Sequence, residues 1–387
     1  MQQGILLRVW LEKPFFSIWC YQIPFVYYEA FILKLFGSEL VLKLLNVAFM
    51  VVTNVLIYMI AREWAGPRAA FAVAVLYSVY PAPVLLSSVL TNQHISLMFL
   101  MLGIYFYIVS PSWRRILLSC LCLFLGNLMR PEAVLVIAAM LIHTFISFIE
   151  DFKWEYIRTA LSKTLVLIAS FIFLTGAASA LLKITGAAPC GISNNCPEWK
   201  FVLGLDTESI GVYSEKNAYI LNISDPRLRH EEAEKAISDS LRKCKSMPLF
   251  LWEKTKRMWA NMESDTWSLI HIERSRPVWN EIRCFTFEKA INNIISFDKA
   301  VYILLYILII TACVILWLTP AEGNHRAFFF TALILVNYFV YLLIEIQTRY
   351  RYFIMPSFFI LYAVVFRECF KKADMYFKKG DADLNPN

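Results

Sequence analysis

The sequence predicts an all-α, multi-pass membrane protein of about nine transmembrane helices with one mixed, mainly helical loop domain, and three observations lead there. Charged residues make up only 17% of the 387 positions, against about 25% in an ordinary soluble chain, which is too few to solvate a surface around a core. Hydrophobic residues reach 59%, with a mean hydropathy of +0.55. The 30 Phe, 19 Tyr and 11 Trp form an aromatic load suited to membrane–water interfaces.

A hydrocarbon core about 30 Å thick asks for about 20 apolar residues per helix. The segments that answer are 39–60, 69–90, 95–110, 115–130, 132–149, 164–184, 299–319, 327–346 and 352–368. The third, fourth and fifth are short, and Arg130-Pro131 joins the fourth to the fifth. They read either as two short helices meeting at one face or as one broken segment with a re-entrant bend, which needs protein or water around it.

Orientation follows from Lys and Arg in the short connections. Arg62 and Arg68, Arg114 and Arg115, Lys153, Arg158 and Lys163, Arg326, and the run Arg367, Lys371, Lys372, Lys378 and Lys379 fall on one side if the spans alternate. The positive-inside rule makes that side cytoplasmic. The chain then divides into an outer juxtamembrane segment (1–38), an N-terminal transmembrane bundle (39–184), an extracytoplasmic loop domain (185–298), C-terminal transmembrane helices (299–368) and a basic cytoplasmic tail (369–387). The start comes out on the outer side. Glu12, Lys13 and Pro14 interrupt any signal-peptide core there. Either residues 1–37 insert by themselves, or a leading helix precedes Met1.

Four cysteines, Cys190, Cys196, Cys244 and Cys284, lie in the outward loop, where an oxidising compartment allows disulfides. The close pair Cys190/Cys196 is the expected local bridge, with free thiols the alternative. Neither His230 nor His271 has ligand spacing to them, so no metal site is expected. Cys120, Cys122 and Cys313 read as small apolar helix fillers. Residues 229–245 predict an amphipathic helix, and 249–259 a second, aromatic and basic one suited to a membrane surface. Asn222-Ile223-Ser224 matches an N-glycosylation acceptor, a pattern short enough to recur by chance. The net charge of +7 is carried by short connections and the tail, which fits membrane orientation and not nucleic acid. With 12 Gly and no phosphate-cradling loop, nucleophile elbow or zinc-spaced cluster, nucleotide-dependent soluble chemistry is not expected.

The chemistry-bearing residues gather at the outer ends of spans. Arg130 stands before Pro131 and Glu132 at the end of an apolar segment; it reads as an anion site, or as a salt bridge to Glu132 that anchors the helix end. Glu345-Ile346-Gln347-Thr348-Arg349-Tyr350-Arg351-Tyr352 sets two arginines and two tyrosines at headgroup depth. The guanidinium fork matches phosphate oxygens, and an interfacial belt is the bland alternative. Glu345 and Arg349, four apart, would pair on a helical turn. Thr91-Asn92-Gln93-His94 is either the mouth of a cavity or an ordinary polar turn. His143, inside the fifth span, reads as a packed histidine.

Several landmarks fall in order: Tyr21-Gln22-Ile23-Pro24-Phe25, Leu35-Phe36-Gly37, Lys43-Leu44-Leu45-Asn46, Ala61-Arg62-Glu63 with Gly66, Tyr80-Pro81, Asn127 to Glu132, and Arg349 to Tyr352 followed by Pro356. The loop adds Gly204-Leu205-Asp206, Ser209-Ile210-Gly211, and Lys256 ahead of Trp259. The order resembles bacterial membrane glycosyltransferases of the GT-C fold, the group similar to protein O-mannosyltransferases and the aminoarabinose transferase of lipid A. The resemblance implies transfer of a sugar from a polyprenyl-phosphate donor to a lipid, glycan or protein acceptor, on the outer face of a bacterial cytoplasmic membrane, without nucleotide there. It implies that Arg130, Arg349 and Arg351 hold the donor phosphate, with Asn92, Gln93, His94, Glu345 and Tyr350 lining the site. Trp199, Trp252, Trp259 and Trp267 would cover it.

The family's general base or metal ligand, an acid in a first outer loop preceded by a helix, has no counterpart, since no helix is expected before residue 39. Glu12 and Glu29 are the candidate substitutes. A second acid that relatives often carry is replaced by Asn92 and Gln93, amides that hydrogen-bond sugar hydroxyls but do not act as bases. No cofactor is implied beyond a possible divalent cation. The competing readings are an inactive relative, a lipid-linked-sugar translocase and a polymerase. A translocase would show internal repeats and mid-membrane polar residues.

Overall fold

The computed structural model describes residues 14–109, 112–151, 154–188, 190–260, 287–319 and 325–384. Among them the architecture is all-helical, with a lone antiparallel bridge between Trp19 and Asn194.

The chain enters through α1 (Pro14–Ile18), a 3₁₀ turn (Cys20–Gln22) and α2 (Ile23–Phe36). The expectation of no helix before residue 39 is therefore corrected. α2 closes on Gly37, whose φ of +66° is the left-handed cap that a glycine adopts at least cost. Ser38 then accepts the Leu40 amide at 3.2 Å and starts α3 (Glu39–Ala65). The second predicted span is two helices, α4 (Pro67–Ser78) and α5 (Pro81–Leu86). Pro81 drives Tyr80 into extended backbone (φ −68°, ψ 120°) and has no N–H to continue the ladder.

Next come α6 (Gln93–Ile108), α7 (Trp113–Met129), α8 (Ala133–Asp151) and α9 (Trp154–Ile184). Small residues let α6 and α7 approach. A Cβ on Gly103 would stand 2.8 Å from Leu123, and one on Gly126 3.0 Å from Leu100. Across the same seam Ser119 donates to the Gly103 carbonyl at 2.7 Å and Ser96 to the Gly126 carbonyl at 2.9 Å. The fourth and fifth segments are thus two separate helices meeting at Arg130–Glu132.

The loop contributes α10 (Trp199–Gly204), α11 (Pro226–Lys243) and α12 (Met247–Trp259). α11 and α12 begin ahead of the predicted 229 and 249, because Asp225 and Ser246 cap them and a proline occupies each first turn. A small core of Ile18, Trp199, Val202, Leu203, Ile220 and Ala233 packs beneath α10 and α11. The chain closes with α13 (Phe287–Leu318), α14 (His325–Leu343), a 3₁₀ turn (Thr348–Phe353) and α15 (Met355–Leu384), which runs past the predicted end of the ninth span.

Among the described residues, helix occupies most but not all of each of the nine apolar segments. Glu39–Ala65, Arg158–Ile184 and Glu288–Leu318 are long and apolar enough to cross a membrane, and Gln93–Ile108, Ala133–Ile146 and Ala327–Leu343 are shorter apolar helices. Three residues of the basic clusters pair across elements: Arg68 with Asp374 at 3.0 Å, Arg367 with the Trp64 carbonyl, and Lys163 with the Trp113 ring.

Cys190 pairs with Cys20, not Cys196, over a Cα–Cα distance of 6.1 Å. Cys196 is a buried free thiol, Cys244 is free, and Cys284 lies outside the described residues. The expectation of a local Cys190/Cys196 bridge is overturned because the N-terminal segment folds onto the loop. The Asn195 amide donates to the Ile18 carbonyl at 2.8 Å, and the Tyr27 hydroxyl donates to the Ala187 carbonyl at 2.9 Å. Cys20→Ser should lower unfolding stability by about 2–4 kcal/mol, since the bridge closes a long loop. Thermal unfolding in detergent checks this; an unchanged midpoint would mean that the backbone contacts alone hold the segment.

Candidate functional site

A cleft of about 790 Å³ opens where the ends of these elements meet. The N-terminal segment, the α5–α6 connection, the α7–α8 turn, α10 and the α14–α15 connection all reach it. Among the described residues its charged lining is Arg130, Glu132, Lys200, Glu345 and Arg349, three cations against two carboxylates.

Arg130 is aimed by its neighbour. Pro131 excludes helical backbone at the preceding residue, and Arg130 leaves α7 extended, at φ −156° and ψ 134°. The Met129 carbonyl, freed at the helix end, accepts Asn92 Nδ2 at 2.9 Å. Arg130 Nε meets Glu132 Oε1 at 3.2 Å, and Nη1 lies 3.4 Å from Asn92 Oδ1. Gln93 Nε2 donates to the Arg349 carbonyl at 3.1 Å, tying the α6 start to the α14–α15 connection.

That connection is a strap clamped by the loop. The Glu345 amide donates to the Lys200 carbonyl and the Ile346 amide to the Gly211 carbonyl, each at 2.9 Å. Behind it Lys254, 1% exposed, spends all three N–H donors on carbonyls: Gly204 at 2.5 Å, Leu342 at 2.9 Å and Ile344 at 2.7 Å. Two of these are orphan carbonyls at the end of α14, where the helix dipole also favours a cation. Burial pushes the Lys254 ammonium down to about 7, and Glu345 pulls it up. The three carbonyl acceptors favour its charged form.

Glu345 does not pair with Arg349, because residues 344–347 are not helical. It pairs with Lys200, whose ammonium also lies 3.3 Å from the Tyr350 hydroxyl, and it accepts Gln347 Nε2 at 2.7 Å and the Tyr350 hydroxyl at 3.2 Å. Burial works against the Lys200 charge, but Tyr350 and Glu345 outweigh it and raise its pKa. Arg349 donates to Gln347 Oε1 at 2.7 Å, and burial is the main influence lowering its pKa, with Arg130 adding to it. Three cationic groups therefore ring one phenol: Arg130 Cζ at 5.4 Å, Lys200 Nζ at 5.4 Å and Arg349 Cζ at 5.7 Å from the Tyr350 ring centroid.

Other expected residues stand elsewhere. Arg351 is fully buried on the opposite side of its turn. A 3₁₀ helix advances about 120° per residue, so residues two apart do not share a face. Its guanidinium covers the Tyr302 ring at 4.8 Å and donates to the Trp259 carbonyl at 3.3 Å. His94 is buried outside the cleft lining, its Nδ1 sharing a 2.6 Å hydrogen bond with the Tyr352 hydroxyl. His143 packs edge-on against Tyr107 and Phe329. Glu29, on α2, is not part of the cleft lining; burial, and then Glu39, raise its pKa to about 7. Glu12 and Trp267 lie outside the described residues. Of the other expected tryptophans, Trp199 lines the cleft, Trp252 is exposed and Trp259 packs beside Arg351. Trp19, Tyr21 and Tyr213 add to the aromatic wall, with Phe15, Phe25 and Tyr341. Lys256, singled out in the sequence, makes a surface pair with Glu253; the buried lysine is Lys254. Among the described residues no group of three His, Cys, Asp or Glu side chains is placed to hold a metal ion.

Residues 23–178 match the family model described as dolichyl-phosphate-mannose-protein mannosyltransferase. The match covers the helices from α2 into α9 and supports the broad reading of a membrane glycosyltransferase. No curated protein and no solved structure matches the chain.

Proposed function

We propose that the cleft binds a polyprenyl-phosphate-linked sugar and transfers the sugar to a lipid, glycan or protein acceptor of the cell envelope, at the extracytoplasmic face of a bacterial cytoplasmic membrane. The observation that carries this is the ring of Arg130, Lys200 and Arg349 around Tyr350, in a cleft whose charged lining is one positive charge in excess. Like charges held together in a partly desolvated site call for an anion between them. The planar forks of Arg130 and Arg349 suit phosphate oxygens, and Lys200 adds a point charge.

Leu86, Val89, Leu90, Val134 and Val340 line the same cleft and suit the first isoprene units beside the phosphate. As the bond between the sugar and the phosphate breaks, charge gathers on the leaving oxygen, and fixed cations there lower the barrier. Asn92, Gln93 and the Trp19, Tyr21 and Tyr213 wall would meet the sugar and acceptor. Two features support an outward cleft. The Cys20–Cys190 bridge beside it belongs in an oxidising compartment, and the basic clusters follow the opposite ends of the spans. On this reading residues 39–184 and 299–368 form the membrane part, and 185–298 the cover.

Arg349→Ala tests the assignment in full-length protein held in nanodiscs, supplied with a panel of undecaprenyl-phosphate hexoses and pentoses. Release of undecaprenyl phosphate should fall by about 10²–10³-fold, as when one transition-state donor is removed, with the thermal unfolding midpoint kept. Unchanged turnover would sink it.

A further inference from the structure

We infer that Glu132 is the general base that activates the acceptor hydroxyl, an inference that rests on the donor site proposed above. Transfer to a hydroxyl needs a group that takes its proton, and among the described residues the cleft offers two carboxylates. Glu345 is committed: Gln347 Nε2 occupies Oε1, while Lys200 and the Tyr350 hydroxyl occupy Oε2. Glu132 is half free. Arg130 Nε and, at 3.5 Å, the Tyr341 hydroxyl both address Oε1, and Oε2 has no hydrogen-bond partner among the described residues.

The Arg130 fork explains the spacing. Its Nε edge holds Glu132, and its outer nitrogens, with one long contact to Asn92, remain for phosphate oxygens. One guanidinium then keeps the base on one side and the leaving group on the other. An acceptor attacking the sugar opposite the phosphate needs that separation. The step balances. The acceptor O–H proton passes to Glu132 Oε2, and the acceptor oxygen bonds to the anomeric carbon. The bond from that carbon to the phosphate oxygen breaks, and its electron pair leaves on the polyprenyl phosphate. Glu132 returns the proton to water.

The alternative is that Glu132 only orients Arg130, and two variants separate the roles. Glu132→Gln keeps the acceptor atom for Arg130 and removes the base. Turnover of the undecaprenyl-phosphate sugar panel should fall by about 10²–10⁴-fold, with the donor KM kept. Glu132→Ala should regain undecaprenyl phosphate release with sodium azide, forming a glycosyl azide, because azide brings no proton to remove. Retained turnover in Glu132→Gln overturns the inference. So does a loss seen mainly as a raised donor KM that azide does not rescue. If Arg349→Ala is also silent, the donor site itself is wrong; if Arg349→Ala is inactive while Glu132→Gln is active, only the base is misassigned.

Discussion

Lys254→Met should cost the protein several kcal/mol of stability and its turnover with it. Methionine matches the lysine in length and fills the same buried space, so packing changes little. What is lost is the ammonium shared by Gly204, Leu342 and Ile344. Leaving a buried carbonyl without a donor costs about 1–3 kcal/mol, and here three are orphaned together. The sum is a large part of the roughly 5–15 kcal/mol that separates folded from unfolded domains. The damage is also local to the chemistry. Residues 342–344 run directly into Glu345, Gln347 and Arg349, and a strap free to drift no longer holds Arg349 against Tyr350. Thermal unfolding and limited proteolysis of the detergent-solubilised variant, beside a transfer assay, measure both effects. Wild-type values in both would show that the two backbone bonds from Glu345 and Ile346 hold the strap unaided.

Lys254 carries no local signal in the sequence. The apolar segments were legible because a bilayer imposes length and composition on each of them. The aim of Arg130 is set by Pro131, whereas 69–90 reads as one span and Pro81 breaks it into two helices. Those signals are local, carried by one residue acting on the next. The helix at 23–36 has no such signature, because Tyr27, Tyr28, Glu29 and Lys34 interrupt its apolar run.

Arg351 stands beside Arg349 in the same basic-aromatic segment, and only the 3₁₀ geometry of Thr348–Phe353 puts them on different sides. Cys190 has Cys196 as its near neighbour in sequence, while its partner stands 170 residues away. Lys200 and Lys254 are single lysines in a loop, and nothing adjacent distinguishes them from solvated ones. Each acquires meaning only when the loop closes over the α14–α15 connection. Glu132 was read as the partner of Arg130, which it is, but which of its oxygens stays free is a fact of tertiary geometry.

Gly204→Ala sets two physical effects against each other. Position 204 ends the short helix α10, and alanine is a better helix former than glycine by roughly 0.5–1 kcal/mol. Local propensity therefore predicts a slightly more stable protein. Close approach predicts the reverse. A Cβ at 204 would lie 2.2 Å from the Ile344 carbonyl carbon, 2.4 Å from its Cα and 2.4 Å from the Leu343 oxygen. All three are backbone atoms that cannot rotate away, so the strap must move by about 1 Å to reach van der Waals distance. The shift falls on the residue before Glu345 and loosens its pairing with Lys200. Misplacement on that scale costs about 10²-fold in a positioned reaction. The expected result is a destabilised variant with turnover down by about that factor, read from thermal unfolding and undecaprenyl phosphate release in one preparation. A variant that gains stability and keeps its turnover would mean that helix propensity governs the position and that the strap does not rest on Gly204.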